Sequence, residues 1–294
     1  VRKGTRGADS LAGPGAGQRY TLPLMPRVTA NDTDLYYRLE GADDAPAIVL
    51  VHALGLDHGA WDLQMPALLA HFQILRCDVR GHGASASPPG DYPMALLAAD
   101  VLALADRLQL NRFALCGLSI GGMIAQWLAA HSPERVTALV LANTSPRVAD
   151  PAAIETRRRL VLSQGMRPIA DSAIKRFFSP GFLDRQAPVI ATARRTILTT
   201  NPIGYAGCCA AVRDMDQTPL LGSIRAPTLV VHGDLDVSMP FDKNADLLRQ
   251  GIAGAQLARI PAAHLSNVEQ PQLFTAAILD FLLPMAGSTA AARR

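Results

Sequence analysis

Short apolar runs alternate with helical patterns along most of the sequence, and this alternation restricts the fold more than any other feature. Six runs are typical of strands buried on both faces: 47–52, 73–77, 113–116, 136–142, 228–232 and 256–260. Four segments have helical periodicity: 94–108, 122–131, 242–250 and 272–283. Strands that alternate with helices are joined by right-handed crossovers. The pattern predicts an α/β fold with a mostly parallel central sheet and helices on both faces.

The alternation stops between about residues 146 and 206, where the sequence is rich in arginine and predicts short helices without a buried strand. A surface insertion is one interpretation. A lid is favoured, because ligands of open α/β sheets bind at the carboxyl ends of the strands. The predicted organisation is a flexible tail over 1–20, an α/β core over 21–145 and 207–285, a helical lid over 146–206, and a C-terminal tail over 286–294.

The composition is typical of a globular protein with a large core. Of the 294 residues, 49% are hydrophobic and 18% charged, and the formal net charge is only +3. No basic stripe is interleaved with aromatic residues, which argues against nucleic-acid binding. No apolar run reaches the roughly 18 residues of a membrane span. The cysteines have no C-x-x-C spacing, and residues 7–19 lack the apolar core of a signal peptide, so reduced thiols in the cytoplasm are expected.

The segment Gly117-Leu118-Ser119-Ile120-Gly121 matches the pattern G-x-S-x-G. It follows the predicted strand 113–116 and opens the predicted helix 122–131, which is the context that a nucleophile elbow requires. Glycines on either side leave room for a sharp turn, and the helix N-terminus directs free N–H groups toward a developing oxyanion. Ser119 is therefore predicted to be a nucleophile. A glycine-rich helix start without a catalytic role is the alternative.

A serine hydroxyl needs a base to take its proton, and the chain order expected for this arrangement is Ser, Asp, His. Asp236 lies in the turn after strand 228–232, and His264 follows strand 256–260. Both come directly after the carboxyl end of a strand, as Ser119 does. Asp234, two residues earlier, is the rival acid; Asp236 is favoured because Asp234 sits where the strand ends and suits capping of the turn.

The second part of an oxyanion hole is expected in the loop after strand 47–52. There the backbone N–H of Leu54 is predicted to pair with that of Ile120. His52 and His82 are interpreted as structural residues that hold neighbouring turns. The seven histidines show no spacing to each other or to carboxylates that indicates a metal site, so neither a metal nor a cofactor is expected.

With these residues in place, the sequence over about 27–284 resembles the 3-oxoadipate enol-lactonases, which have the α/β-hydrolase fold. The elbow CGLSIGGMIAQW (116–127) looks like theirs. More specific are GYAGCCAAVRDMD (204–216) and AAHLSNVEQP (262–271). The resemblance implies a catalytic triad and a pair of oxyanion donors, at Ser119, Asp236 and His264 and at Leu54 and Ile120 respectively.

The substrate implied by the resemblance is a five-membered enol lactone with an acetate arm, opened through a Ser119 acyl-enzyme. In the lid of this family a Trp is followed three residues later by an Arg that would bind the acetate. Here the Arg falls at Arg157 and the Trp position at Ile154, so the cation is kept and the aromatic ring is not. An Arg157 that belongs to a solvated cluster with Arg158 and Arg159 is the alternative.

Two other functions compete with this one. An esterase or lactonase for another small carboxylate-bearing substrate is favoured by Ile154 and by His52-Ala53 in the oxyanion loop, where the family more often has Asn-Ser. A ligand receptor that uses a hydrolase fold only for binding belongs to a different class. A small-molecule lactone is the one partner that the sequence predicts.

Overall fold

An eight-stranded sheet forms the centre of residues 26–291, the part of the chain that the computed structural model describes. The strands are β1 (Arg27–Ala30), β2 (Thr33–Glu40), β3 (Ala47–Val51), β4 (Gln73–Cys77), β5 (Phe113–Leu118), β6 (Val136–Ala142), β7 (Thr228–Gly233) and β8 (Gln256–Ile260). Their order is β1-β2-β4-β3-β5-β6-β7-β8. All pairs between β4 and β8 are parallel, whereas β2 is antiparallel to both of its neighbours. The predicted mostly parallel sheet is confirmed.

The six strands predicted from apolar runs agree with β3 to β8 to within two residues, and β1 and β2 were not predicted. These two strands form an edge hairpin in which several side chains are exposed, so they lack a continuous apolar run. Asn31 and Asp32 turn the hairpin with φ angles of 50° and 56°. Two successive residues with positive φ are typical of a two-residue hairpin turn that matches the twist of the strands.

Eleven α-helices lie within the described residues, together with three short 3₁₀ turns. They are α1 (Met65–Leu68), α2 (Met94–Arg107), α3 (Ile120–His131), α4 (Pro151–Gln164), α5 (Arg167–Phe177), α6 (Pro180–Leu183), α7 (Pro188–Thr199), α8 (Pro202–Asp214), α9 (Ala245–Gly251), α10 (Ser266–Glu269) and α11 (Pro271–Ala291). The helix predicted over 242–250 is divided at Asn244 into a 3₁₀ turn, Phe241–Lys243, and α9. Residues 286–291, within the predicted C-terminal tail, continue helix α11. The predicted tail over 1–20 and residues 292–294 lie outside the described residues.

The predicted lid contains α4, α5, α6 and α7, but its predicted end at residue 206 falls inside α8. This boundary was wrong because α8 belongs to the lid and to the core at once. It packs along α4, and its residues from Gly204 to Val212 are buried without interruption. Its backbone also contacts the turn after β4: a Cβ atom on Gly204 would lie 2.2 Å from the Gly81 Cα atom.

Every residue of β4, β5 and β7 is buried, so the centre of the sheet is covered on both faces. Within residues 26–291, no helix has the length and apolar character needed to cross a membrane.

Polar side chains lie together where neighbouring parallel strands end. Ser119 follows β5, Asn143 follows β6, and Asp236 lies in the turn after β7.

Candidate active site

Ser119 joins β5 to α3 in a backbone conformation that side-chain-bearing residues seldom adopt, with φ 55° and ψ −117°. The two motif glycines allow this turn. A Cβ atom on Gly117 would lie 2.2 Å from the Gly121 carbonyl oxygen, and one on Gly121 would lie 2.2 Å from the Val51 carbonyl oxygen. The Ser119 N–H donates to the Ala142 carbonyl at 3.0 Å, which ties the turn to the end of β6.

His264 and Asp236 are in direct contact. Nδ1 of His264 lies 2.8 Å from Oδ2 of Asp236, and both residues are buried. Since the carboxylate accepts this hydrogen bond, the proton belongs on Nδ1 and Nε2 keeps its lone pair. Burial alone would raise the pKa of the Asp236 carboxyl. The His264 charge and hydrogen bonds to the carboxylate outweigh burial and hold this pKa below its usual range.

Asp234, the rival acid, lies apart from His264. Its carboxylate forms an ion pair with Arg259, in which Nε of Arg259 lies 2.6 Å from Oδ1 of Asp234. The Arg259 side chain is 54% exposed and the Asp234 side chain 36%. The geometry therefore brings Asp236, and not Asp234, together with the histidine.

Asn143 is a residue of the site that the sequence analysis missed. Its Nδ2 donates to Oδ2 of Asp236 at 3.0 Å, and its Oδ1 accepts the Ser266 hydroxyl at 2.5 Å. Backbone N–H groups of Ser238 and Met239 bind the other Asp236 oxygen at 2.9 and 3.1 Å. The signal that could have found Asn143 is its position directly after β6, at the same edge of the sheet as Ser119.

Glu269 connects the His264 loop to the lid, and the sequence analysis also missed it. One oxygen of this buried carboxylate accepts the backbone N–H groups of Ala263 at 3.1 Å and Ser179 at 3.0 Å, and the other accepts the Ser179 hydroxyl. Phe177, at the end of α5, stacks on the His264 ring with a centroid separation of 5.7 Å. The lid thus contacts the histidine and its loop directly.

The two predicted oxyanion donors, Leu54 and Ile120, line the same cavity as Ser119. Neither backbone N–H has a hydrogen-bond acceptor among the described residues. The loop that carries Leu54 is held at the next residue, where the Gly55 N–H donates to Nε2 of His82 at 3.0 Å. From the lid, the Thr200 hydroxyl lies 3.2 Å from the Gly55 carbonyl oxygen. Two N–H donors that are free and fixed in place can stabilise an oxyanion.

The two histidines near this loop make structural contacts. His52 accepts the Val79 N–H on Nε2 at 2.9 Å, and its Nδ1 lies 2.8 Å from the Ala53 carbonyl oxygen. His82 is fully buried, and burial together with the nearby His52 charge lowers its pKa to about 3. Because its Nε2 accepts the Gly55 N–H, His82 is neutral with its proton on Nδ1.

A cavity of about 380 Å³ brings most of the predicted site residues together between the core and the lid. Ser119, His264, Leu54, Ile120, Ile154 and Arg157 all line it. Asp236 lies behind His264 and does not contribute to the lining. Much of the wall is apolar, formed by Met123, Ile154, Ala173, Phe177, Val212 and Met239. Such a cavity suits a small substrate with an apolar body and few polar groups.

The charged residues of the cavity lining are all cationic: Arg147, Arg157, Arg176 and Lys243. Arg158 and Arg159 have different surroundings, since Arg158 pairs with Asp91 and Arg159 with Glu155. The structure thus separates Arg157 from the solvated cluster considered as the alternative. Arg176 was not singled out from the sequence as a cavity residue.

Within residues 26–291, no group of three or more His, Cys, Asp or Glu residues is placed to hold a metal ion.

Comparisons with known proteins identify the family of the chain. A model of the α/β-hydrolase fold family matches residues 46–271. The sequence is 37% identical over 253 residues to 3-oxoadipate enol-lactonase 2 of Acinetobacter baylyi, covering 85% of this chain and 94% of the relative. The fold matches the crystal structure of the enol-lactonase from Burkholderia xenovorans with a TM-score of 0.86 and 37% identity, covering 88% of this chain and all of that one. A thermophilic esterase from Thermogutta terrifontis, solved with malate bound, matches with a TM-score of 0.83 and 31% identity, covering 89% of this chain and 98% of the other.

Proposed function

The chain belongs to the α/β-hydrolase family and is a carboxylic ester hydrolase related to 3-oxoadipate enol-lactonases, and we propose that it opens the ring of 3-oxoadipate enol-lactone to give 3-oxoadipate. One observation supports a carboxylate-bearing substrate in particular. Arg157, which has no carboxylate partner among the described residues, lines the cavity that also holds Ser119 and His264. The reaction would belong to aromatic catabolism through the β-ketoadipate pathway. The four buried free cysteines fit a cytoplasmic location.

The first half of the proposed reaction forms an acyl-enzyme. Nε2 of His264 takes the Ser119 proton as the hydroxyl oxygen attacks the lactone carbonyl. Asp236 holds the imidazole tautomer and stabilises the imidazolium. The N–H groups of Leu54 and Ile120 stabilise the tetrahedral oxyanion, and each such donor contributes on the order of 10²–10³ in rate.

Collapse of the tetrahedral intermediate breaks the bond between the acyl carbon and the ring oxygen. The ring oxygen leaves as an enolate, which takes a proton from the imidazolium and tautomerises to a ketone. Because this leaving group stays attached to the acyl chain, nothing is released at this step. Water activated by His264 then attacks the ester carbonyl, which frees 3-oxoadipate and regenerates the Ser119 hydroxyl.

The acetate arm of the substrate needs a cation in a cavity with little water. Arg157 supplies it from α4, one turn after Ile154 on the same helix. A well-formed Arg–carboxylate pair contributes about 1.5–3 kcal/mol to binding. Ile154 provides an apolar contact where the resembled family has an indole ring, and leaves more room beside the lactone.

Turnover of enzymatically generated 3-oxoadipate enol-lactone tests the proposal. We expect kcat/KM for the lactone to exceed that for 4-nitrophenyl acetate by roughly ten- to a hundredfold, since only the lactone carries a carboxylate for Arg157. A phosphonate probe should label Ser119 and fail to label Ser119→Ala. Equal kcat/KM for lactone and aryl ester would contradict the proposal, and absence of labelling would favour a ligand receptor.

A second candidate is an esterase or lactonase for another small carboxylate-bearing substrate. Ile154 favours it, because a smaller side chain in the wall admits other acyl groups. The malate bound to the Thermogutta terrifontis esterase is a small carboxylate in a related fold. Faster turnover of a dicarboxylic acid monoester than of the enol-lactone would support this candidate.

A further inference from the structure

We propose that Arg176 is a second anion-binding residue of the cavity, and that Arg157 and Arg176 together hold one end of a dicarboxylate. A dicarboxylate would then be the chemical class of the reaction product and the best class of competitive inhibitor. The inference rests on the proposed function for the reaction and for Arg157, and Arg176 is the residue that it adds.

Four arginines of the lid have partners elsewhere. Arg158 pairs with Asp91, Arg159 with Glu155 and Arg194 with Asp171. The guanidinium of Arg185 lies 5.8 Å from the centroid of the Phe182 ring. None of these four partners lines the cavity.

Arg157 and Arg176 differ from these neighbours in both position and partners. They reach one cavity from two helices, Arg157 from α4 and Arg176 from α5. Neither forms an ion pair with a carboxylate among residues 26–291, and both are partly buried. Burial and the charge of Arg157 lower the pKa of Arg176. Two like charges held beside an apolar wall repel each other, and an anion between them relieves the repulsion.

The other end of the cavity fits the second carboxylate. Hydrolysis of the acyl-enzyme adds water to the acyl carbon, and the acid formed loses a proton to become a carboxylate. At that moment the new carboxylate lies at the N–H groups of Leu54 and Ile120. If the substrate already carries a carboxylate at Arg157 and Arg176, the product is anchored at both ends.

The exposed cations of the lining add to this preference. Arg147 and Lys243 are exposed and contribute positive charge, and no acidic residue among those described lines the cavity. A cavity lined by one sign of charge attracts the opposite sign from solution. The cavity should therefore attract dianions from solution more strongly than monoanions and also bind them more tightly.

Inhibition of a neutral reporter reaction tests this inference. The reporter is hydrolysis of 4-nitrophenyl acetate, and the inhibitors are succinate, glutarate and adipate, compared with butyrate, pentanoate and hexanoate. We expect competitive inhibition in which the best dicarboxylate has a Ki at least tenfold below that of the monocarboxylate of equal length. Equal Ki values for each pair would overturn the inference.

Variants of Arg176 test its part. In Arg176→Gln the Ki of the best dicarboxylate should rise roughly ten- to a hundredfold, and Arg176→Lys should recover part of the loss. A competitive Ki is a dissociation constant, so a change in kcat for the reporter does not alter it. Arg195→Gln, on α7 outside the cavity, is the matched control and should keep the wild-type Ki. An unchanged dicarboxylate Ki in Arg176→Gln would assign dicarboxylate binding to Arg157 alone and overturn the role of Arg176.

The enol-lactone assay separates this inference from the proposed function. Preference for dicarboxylates without lactone turnover would support the two-arginine site and contradict the proposed reaction. Lactone turnover without the preference would contradict only the two-arginine site.

Discussion

His82 accepts the backbone N–H of Gly55 on Nε2 at a distance of 3.0 Å. This contact joins the turn after β4 to the loop that presents the Leu54 N–H to the cavity. Gly55 has a φ of 82°, so the loop turns sharply at the point where it is held. A buried neutral histidine thus fixes the loop that carries the proposed oxyanion donor, although its ring is not among the residues that line the cavity.

We expect His82→Leu to lower kcat about tenfold with little change in KM, because the Gly55 N–H loses its acceptor and the Leu54 N–H loses its fixed position. The loss should be smaller than the 10²–10³ seen when an oxyanion donor is removed outright. His82→Gln, whose side-chain oxygen can accept the same N–H, is the matched control and should retain most of kcat. Steady-state kinetics with 4-nitrophenyl acetate measures both, and equal kcat values for the two variants would contradict the role of this hydrogen bond.

Asp236→Asn and Asp234→Asn should differ sharply in activity. The first substitution removes the carboxylate that fixes the His264 tautomer, and we expect kcat to fall by roughly 10⁴. The second breaks an exposed ion pair with Arg259, a kind of contact that contributes about 0–1 kcal/mol, and kcat should stay within about twofold. Comparable losses in both variants would disagree with Asp236 as the sole triad acid.

Gly121→Ala should destabilise the fold by about 3 kcal/mol or more, because its Cβ atom would meet the Val51 carbonyl oxygen at 2.2 Å and neither backbone can move aside easily. Gly181→Ala is the control. No atom lies within 4 Å of a Cβ there, and alanine in helix α6 should be neutral or stabilising by up to about 1 kcal/mol. Chemical denaturation measures both free energies of unfolding, and a Gly121→Ala protein as stable as wild type would rule out the clash.

The stability of the fold should fall as the pH drops below about 6.5. Burial, with the charge of His52, lowers the pKa of His82 to about 3, whereas an unfolded histidine titrates near 6.5. Between these values the unfolded chain binds a proton that the folded chain does not, so stability is full above 6.5 and declines toward pH 3. At pH 4.5 this difference is of the order of 2 kcal/mol.

The variant His82→Gln isolates this contribution. It removes the titrating ring, so its Tm should drop less than that of wild type between pH 7 and pH 4.5. Part of the drop should persist, because burial also lowers the pKa of His52. Differential scanning calorimetry at the two pH values measures the Tm of each protein. An identical drop in Tm in both proteins would assign the acid sensitivity to other groups.

The sheet could be predicted from the sequence wherever a strand is buried on both faces. The runs that became β3 to β7 are largely apolar, since helices cover both sides of them, whereas β8 lies at the edge of the sheet and is only partly buried. The hairpin of β1 and β2 lies at the edge of the sheet with several exposed side chains, so it contains no such apolar run. Its turn at Asn31 and Asp32 is the local signal that would have revealed it.

The site was predictable where chemistry imposes a residue type at a strand end. Ser119 and Asp236 follow the buried strands β5 and β7, His264 follows the partly buried strand β8, and the fold then brings these ends together. Arg176 could not be distinguished from other lid arginines in this way, because the sequence does not say which of them finds a carboxylate. Asn143 and Glu269 act through hydrogen bonds between segments far apart in the chain, and no local pattern reports such contacts.

Helix α8 has a consequence for how the substrate cavity can be redesigned. Its backbone contacts the turn after β4 at Gly204 and Gly81, while its length packs along α4. The covering helices therefore cannot swing away as one hinged flap without breaking a contact between two backbones. A chimera that takes its lid from a relative has to join near residues 146 and 215 so that it includes α8, and the turn around Gly81 has to be exchanged with it as a second segment.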